Sequence, residues 1–223
     1  MWYIIITLLA LLFVICPQSL ANDGFTYGSK VMANDLDESR SLCALDPPLA
    51  FGYWDVGLTG FDPGDPVYID FDANGCVDEY DLRLTPFGEI PAGTQVSKVD
   101  NDCGKLLSSF VCLAVPAYFD VNGDGAYSLE DPGYLDAYPS GRINANDVRI
   151  TSYQGYPAGS RVRDSDTDNG MPTSILPGVL SFYNYNGNID PSGNAIYDGG
   201  DIVYIDTQAP WETVTINDVR MSV

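Results

Sequence analysis

Asp65-Pro66-Val67-Tyr68-Ile69-Asp70, Asp131-Pro132-Gly133-Tyr134-Leu135-Asp136 and Asp201-Ile202-Val203-Tyr204-Ile205-Asp206 are three writings of one phrase. Each begins and ends with Asp and carries Tyr at the same place inside. The inner residues are mostly apolar, β-branched or aromatic, the composition of a strand whose side chains alternate between two faces. Each phrase therefore reads as a short strand with a carboxylate at either end.

The likeness extends outward. Sliding the chain by 66 lays Asp65–Gly104 on Asp131–Gly170 without a gap, with fifteen of forty positions identical. Shared residues include Gly75/Gly141, Asp81/Asp147, Arg83/Arg149, Thr85/Thr151, Pro91-Ala92-Gly93/Pro157-Ala158-Gly159 and Asp100/Asp166. A third copy is more diverged: Asn217-Asp218-Val219-Arg220 repeats Asn146-Asp147-Val148-Arg149. Gly28-Ser29-Lys30-Val31 with Asp35 and Asp37 matches Gly159-Ser160-Arg161-Val162 with Asp166 and Asp168. This predicts three tandem units, 22–92, 93–158 and 159–223, each about 65 residues long. Other short runs, Leu82-Arg83-Leu84-Thr85 and Val214-Thr215-Ile216 among them, are also strand-like and bounded by Gly, Pro, Asp or Asn. No run of ten or more residues after 21 has a clean helical period. The expected fold is mainly β: three tandem repeats of short strands and paired loops. Sixty-five residues are marginal for an independent core, which favours units packed on one another or helped by metal.

Residues 1–21 contain no charged side chain, hold a nearly unbroken apolar run from Ile4 to Cys16, and end in Ser19-Leu20-Ala21, which fits a small-x-small cleavage site. They read as a secretory signal peptide, placing the protein outside the cell or on its surface. Beyond them lie Cys43, Cys76, Cys103 and Cys112. An even number in an exported chain suggests two disulfides. Three pairings are open, and Cys103–Cys112 with Cys43–Cys76 gives the shortest closure.

The chain carries 10 Lys and Arg against 31 Asp and Glu, with no His, for a formal charge of −21. Such a charge repels nucleic-acid phosphates and anionic membranes. Without His there is no Ser-His-Asp or Cys-His machinery and no imidazole switch. Yet 45% of residues are hydrophobic, too many for a disordered acidic tail. The carboxylates must be neutralised, and their spacing suggests how.

A calcium ion takes six to eight oxygens, which a 12-residue loop supplies from positions 1, 3, 5, 7 (a carbonyl), 9 and 12, with Gly at 6. Asp120, Asn122, Asp124, Ala126, Ser128 and Asp131 fall on those positions, with Gly125 at the turn. Asp70, Asp72, Asn74, Cys76, Asp78 and Asp81 do the same, with Gly75 at the turn. Asp190, Ser192, Asn194, Ile196, Asp198 and Asp201 keep the spacing without the Gly. Asp136, Ser140, Asn144 and Asp147 keep the ends, with Tyr138 at position 3. Asp55 to Asp65 is one residue short, and Asp206 to Asp218 is one too long and contains Pro210 and Trp211. Each opening phrase links the last position of one loop to the first of the next, so a strand would hold two ions at a fixed distance.

These loops resemble those of EF-hands, and more closely those of dockerin modules, whose twelfth position is Asp. The resemblance covers the loops alone. Asp131 is followed by Pro132-Gly133, so the helix that follows such a loop in those families does not fit here. It implies calcium as the ion, two or more per chain.

Other acidic and basic residues have plainer readings. Arg83, Arg149 and Arg220 are expected to pair with carboxylates of a neighbouring unit. Asp164, Asp166 and Asp168 read as a solvated loop. Nearly every Asp is used by the loop spacing, which leaves no separate pair for glycoside hydrolysis, so no enzyme is expected. The sequence points to a secreted or cell-surface calcium-binding protein with a structural role in a surface layer, filament or adhesive assembly. Its partners would be calcium, its own copies, other surface proteins or glycans. The alternative is a calcium-dependent module recognising carbohydrate or protein.

Overall fold

In the computed structural model, residues 26–33, 35–44, 50–110, 114–185, 187–189, 195, 197–198, 201–208 and 213–222 are described. Residues 1–21, read from the sequence as a leader, lie outside them. Among the described residues there is no helix long and apolar enough to cross a membrane.

The strands are β1 (Cys43–Ala44), β2 (Ala50–Tyr53), β3 (Val67–Asp70), β4 (Leu82–Arg83), β5 (Ser108–Ser109), β6 (Val115–Tyr118), β7 (Gly133–Asp136), β8 (Val148–Arg149), β9 (Ser174–Ile175), β10 (Val179–Tyr183), β11 (Ile202–Asp206) and β12 (Val219–Arg220). They form three four-stranded sheets, ordered β4-β3-β2-β5, β8-β7-β6-β9 and β12-β11-β10-β1. Every pairing is antiparallel. The fold is mainly β.

Both faces of the central strands are buried, because the period-two pattern serves two cores. Val67, Ile69, Leu135, Val203 and Ile205 point into one cluster shared by all three sheets, joined by Leu82, Val148 and Val219 from the neighbouring strands. The alternate residues, Tyr68, Tyr134 and Tyr204, each enter a smaller outer cluster, with Val77 and Val96, Ile143 and Val162, or Val31 and Val214. A shared core resolves the size problem of the sequence reading: no sheet has to bury its apolar face alone.

The sheets do not follow the boundaries 22–92, 93–158 and 159–223. Each takes its edge strand from beyond them. β5 completes the first sheet and β9 the second, while the third is completed by β1 from the other end of the chain. Gly28 N donates to Arg220 O at 2.8 Å and Val31 N to Asp218 O at 2.8 Å, extending that closure.

Three glycines meet at the centre. Gly28, Gly93 and Gly159 have φ of 74°, 79° and 78°, a conformation open to Gly without penalty. A Cβ on Gly28 would lie 2.4 Å from Cβ of Ala158, one on Gly159 2.5 Å from Cβ of Ala92, and one on Gly93 2.6 Å from Cβ of Tyr27. Each glycine thus abuts the residue preceding another of the three. This cyclic contact explains the repeated Pro-Ala-Gly.

The expected disulfides are corrected, Cys103–Cys112 among them, since Cys103 is free. Cys43, Cys76 and Cys103 are free thiols. Cys43 pairs with Phe182 in the third sheet, whereas Cys76 bridges Leu106 beside the first, so Cys43–Cys76 has no basis in the fold. Cys112 lies outside the described residues.

Candidate metal centre

The loops are hairpin ends, and strand register decides which residues face each other. Tyr68 pairs with Arg83 and Ile69 with Leu82, so Asp70 and Asp81 come next, opposite one another. The same count places Asp136 opposite Asp147 and Asp206 opposite Asp218. All six residues are buried. Like charges directly opposite on adjacent strands repel, and burial takes away the water that would screen them.

Desolvation accordingly pushes the Asp81 carboxyl up to about 8, with the charges of Asp70 and Asp78 adding to it. Burial pushes Asp147 up to about 7, with Asp136 contributing. Asp206 rises to about 6 through burial and the charge of Asp218. Asp70, Asp136 and Asp218 are raised as well, burial being the largest cause in each.

Asp70, Asp72 and Asp81 bring carboxylate oxygens within 4.8 Å of one another, the one such acidic group among the described residues. The loop is wrapped around this point. Asn74 N donates to Asp70 Oδ1 at 3.3 Å and Gly75 N to Asp70 Oδ2 at 3.0 Å. Asn74 Nδ2 reaches Asp72 at 2.9 Å and Asp78 at 2.6 Å, and Cys76 N donates to Asn74 Oδ1 at 2.7 Å. Gly75, at φ 75°, makes the sharp turn. Four of the residues chosen from spacing thus converge through their oxygens or amides, and hard oxygens in such a group suit a hard cation.

The loop from Asp120 to Asp131 has the same wrapping. Asp120 accepts from Gly123 N at 2.6 Å and Gly125 N at 2.7 Å. Asn122 Oδ1 accepts from Asp124 N and Asp124 Oδ1 from Ala126 N. Asp131 accepts from Ser128 through both N and Oγ. Most of the loop is exposed, however, and its acids do not form a close triple.

One contact recurs in six loops. Each closing Asp accepts a main-chain N–H from the residue after the opening position and another from three residues before itself. The donors are Val56 and Asp62 for Asp65, Phe71 and Asp78 for Asp81, Val121 and Ser128 for Asp131, Ala137 and Asn144 for Asp147, Tyr185 and Asp198 for Asp201, and Thr207 and Thr215 for Asp218. Two bonds leave a carboxylate with acceptor capacity to spare.

The other predicted residues divide. The side chains of Ser140 and Asn144 bond each other and Arg142 O, while their main-chain N–H groups reach Asp136 and Asp147. Asp55 is occupied by Thr59 N and Gly60 N. Asp190, Ser192, Asn194 and Ile196 lie outside the described residues. Register also reveals a residue that sequence reading missed. Tyr183 pairs with Ile202, which sets Asn184, rather than Asp190, opposite Asp201. Asn184 Oδ1 accepts from Gly187 N at 2.7 Å, and Asn188 Nδ2 donates to Asp198 at 2.5 Å. The signal was present in Tyr183-Asn184-Tyr185, since Phe119-Asp120 and Trp54-Asp55 likewise set an aromatic before the opening residue.

A second polar system lies beneath the sheets. Arg83 binds Asp102 through Nε and Nη2 at 2.7 Å each and Asp100 at 2.7 Å, while Tyr68 Oη donates to Asp102 at 2.7 Å. Arg149 does the same with Asp168 and Asp166, beside Tyr134. Arg220 does so with Asp37 and Asp35, beside Tyr204. Asp166 and Asp168 are therefore arginine ligands, not a solvated ladder. Burial opposes ionisation of Asp102 and Asp37, but the guanidinium and tyrosine hydroxyl outweigh it and hold both carboxyls below the ordinary value. These acids are already neutralised by arginine; the facing pairs Asp70/Asp81, Asp136/Asp147 and Asp206/Asp218 are instead raised by burial.

No protein-family model matches the chain, and neither a curated protein nor a solved structure matches it.

Proposed function

We propose that the protein binds calcium through its hairpin-end loops and serves a structural role outside the cell, as a rigid repeat-built component of a surface layer, filament or adhesive assembly. The observation that carries the ion reading is the convergence of Asp70, Asp72 and Asp81 within 4.8 Å, in a loop whose amides already hold the acids in place. A cation there offsets the repulsion, and because the unfolded chain has no such site, its binding energy adds to folding. Tandem units in phase with the loop spacing, a secretory leader and carboxylates committed to loops or arginines support the structural role.

A thermal melt with calcium and with chelator tests the reading, alongside a count of bound ions by native mass spectrometry. Calcium should raise the melting temperature and add at least two ions. Identical melts with no ion bound would refute it. Calcium-dependent polymers in electron micrographs would support the assembly role, whereas a strictly monomeric chain retained on glycans would favour recognition.

A further inference from the structure

The hairpin that fits the loop spacing worst has the strongest unmet need for a cation. Asp206 is fully buried, and its Oδ2 has no hydrogen-bond partner. Three buried side-chain atoms among the described residues lack one: Asp206 Oδ2, Asn217 Oδ1 and Tyr127 Oη. They belong to one neighbourhood. Asn217 directly precedes Asp218 and Asp218 stands opposite Asp206, while Lys30, bridged to Val219, sets its Nζ 4.3 Å over the Tyr127 ring.

The sequence removes one donor that the sister loops use. In the loops opened by Asp55, Asp70 and Asp136, the opening Asp accepts an N–H from the residue four positions on. Four positions after Asp206 stands Pro210, which has no N–H to give. Residues 209–212 lie outside the described residues. Asp206 Oδ1 receives Gln208 N at 3.2 Å. Each oxygen of Asp218 accepts two hydrogen bonds, from the amide and hydroxyl of Thr207 at Oδ1 and of Thr215 at Oδ2.

A buried carboxylate oxygen facing a second carboxylate is costly unless something positive or hydrogen-bonding reaches it. A water would supply hydrogen bonds and leave the repulsion; a divalent cation answers both. We propose that Asp206, facing Asp218, takes a calcium ion on its unpartnered oxygen at the end of the β11–β12 hairpin. The identity of the ion rests on the calcium reading above. Its consequence is specific: an ion is held where a spacing rule predicts the weakest site.

Native mass spectrometry in calcium should show Asp206→Asn with one ion fewer than wild type, and Asp81→Asn with a different one missing. Hydrogen exchange of the wild-type chain gives a readout that requires no variant to fold. Calcium should slow exchange in the peptides 201–208 and 213–222 relative to chelator. An unchanged exchange there and an unchanged count in Asp206→Asn, while peptide 70–81 responds, would overturn this inference and leave the general reading standing. No response anywhere would overturn both.

Discussion

Arg220 Nε donates to Asp37 Oδ2 at 2.7 Å across 183 residues of chain. The same guanidinium reaches Asp37 Oδ1 at 2.5 Å and Asp35 at 2.9 Å. Arg83 and Arg149 take their carboxylates from 17 and 19 residues downstream; Arg220 takes them from the other end of the protein. The last sheet is therefore finished by residues 28–44, and the chain is fastened to itself.

Deleting residues 26–44 should unfold the last sheet, because it removes β1 and strips Arg220 of both acids. Leaving one member of a buried ion pair costs about 3–5 kcal/mol. Urea unfolding should show the shortened chain with a lower midpoint, or without a cooperative transition.

Asp168→Asn should cost a similar amount, about 3–5 kcal/mol. Asp168 and Arg149 are both fully buried, and the change also weakens the bond from Tyr134 Oη. Asp100→Asn should cost less, since Asp100 is partly exposed and Asp102 still holds Arg83. Chemical denaturation of the two variants gives the comparison.

Acid should destabilise the fold below about pH 4, the ordinary carboxyl range. Asp37 and Asp102 have folded values below the unfolded one. Their contribution is present above the unfolded pKa and is lost as pH falls through the folded pKa. Stability measured against pH should decline in that window, and less steeply in Asp102→Asn.

Gly159→Ala should destabilise without touching any acid. It forces a side chain at φ 78° and sets a Cβ 2.5 Å from Ala92. Left-handed strain costs about 1–3 kcal/mol and overpacking about 1–3 kcal/mol more. Gly125→Ala carries the same φ penalty with open space around it, so its smaller loss in a thermal melt isolates the packing part.

Calcium at a hundredfold excess over Kd should add about 2.7 kcal/mol per site, roughly 5–10 °C for a chain of this size. Asp81→Asn should forfeit part of that rise. Scanning calorimetry with and without chelator checks both.

Much of this was legible in the sequence, because it depends on local chemistry. The phrase Asp-x-x-Tyr-x-Asp predicted the strands, since alternation and β-branching act residue by residue. Loop spacing found Asp70, Asp72 and Asp81, because a twelve-residue turn constrains its own atoms. Arg83, Arg149 and Arg220 were expected to bind acids beyond their own unit, and they do.

What spacing could not supply was register and closure. Asn184 faces Asp201, because pairing between strands rather than distance along the chain sets who is opposite whom. The disulfide guess failed for Cys43 and Cys76, since short loop closure says nothing of which sheet each enters. Gly28, Gly93 and Gly159 gave a repeated motif whose reason is a three-way contact between segments far apart in sequence. The charge of −21 was likewise a sum without a map. Tertiary structure divided it into acids answered by arginine and acids left facing one another, because only folding decides which charges lose their water together.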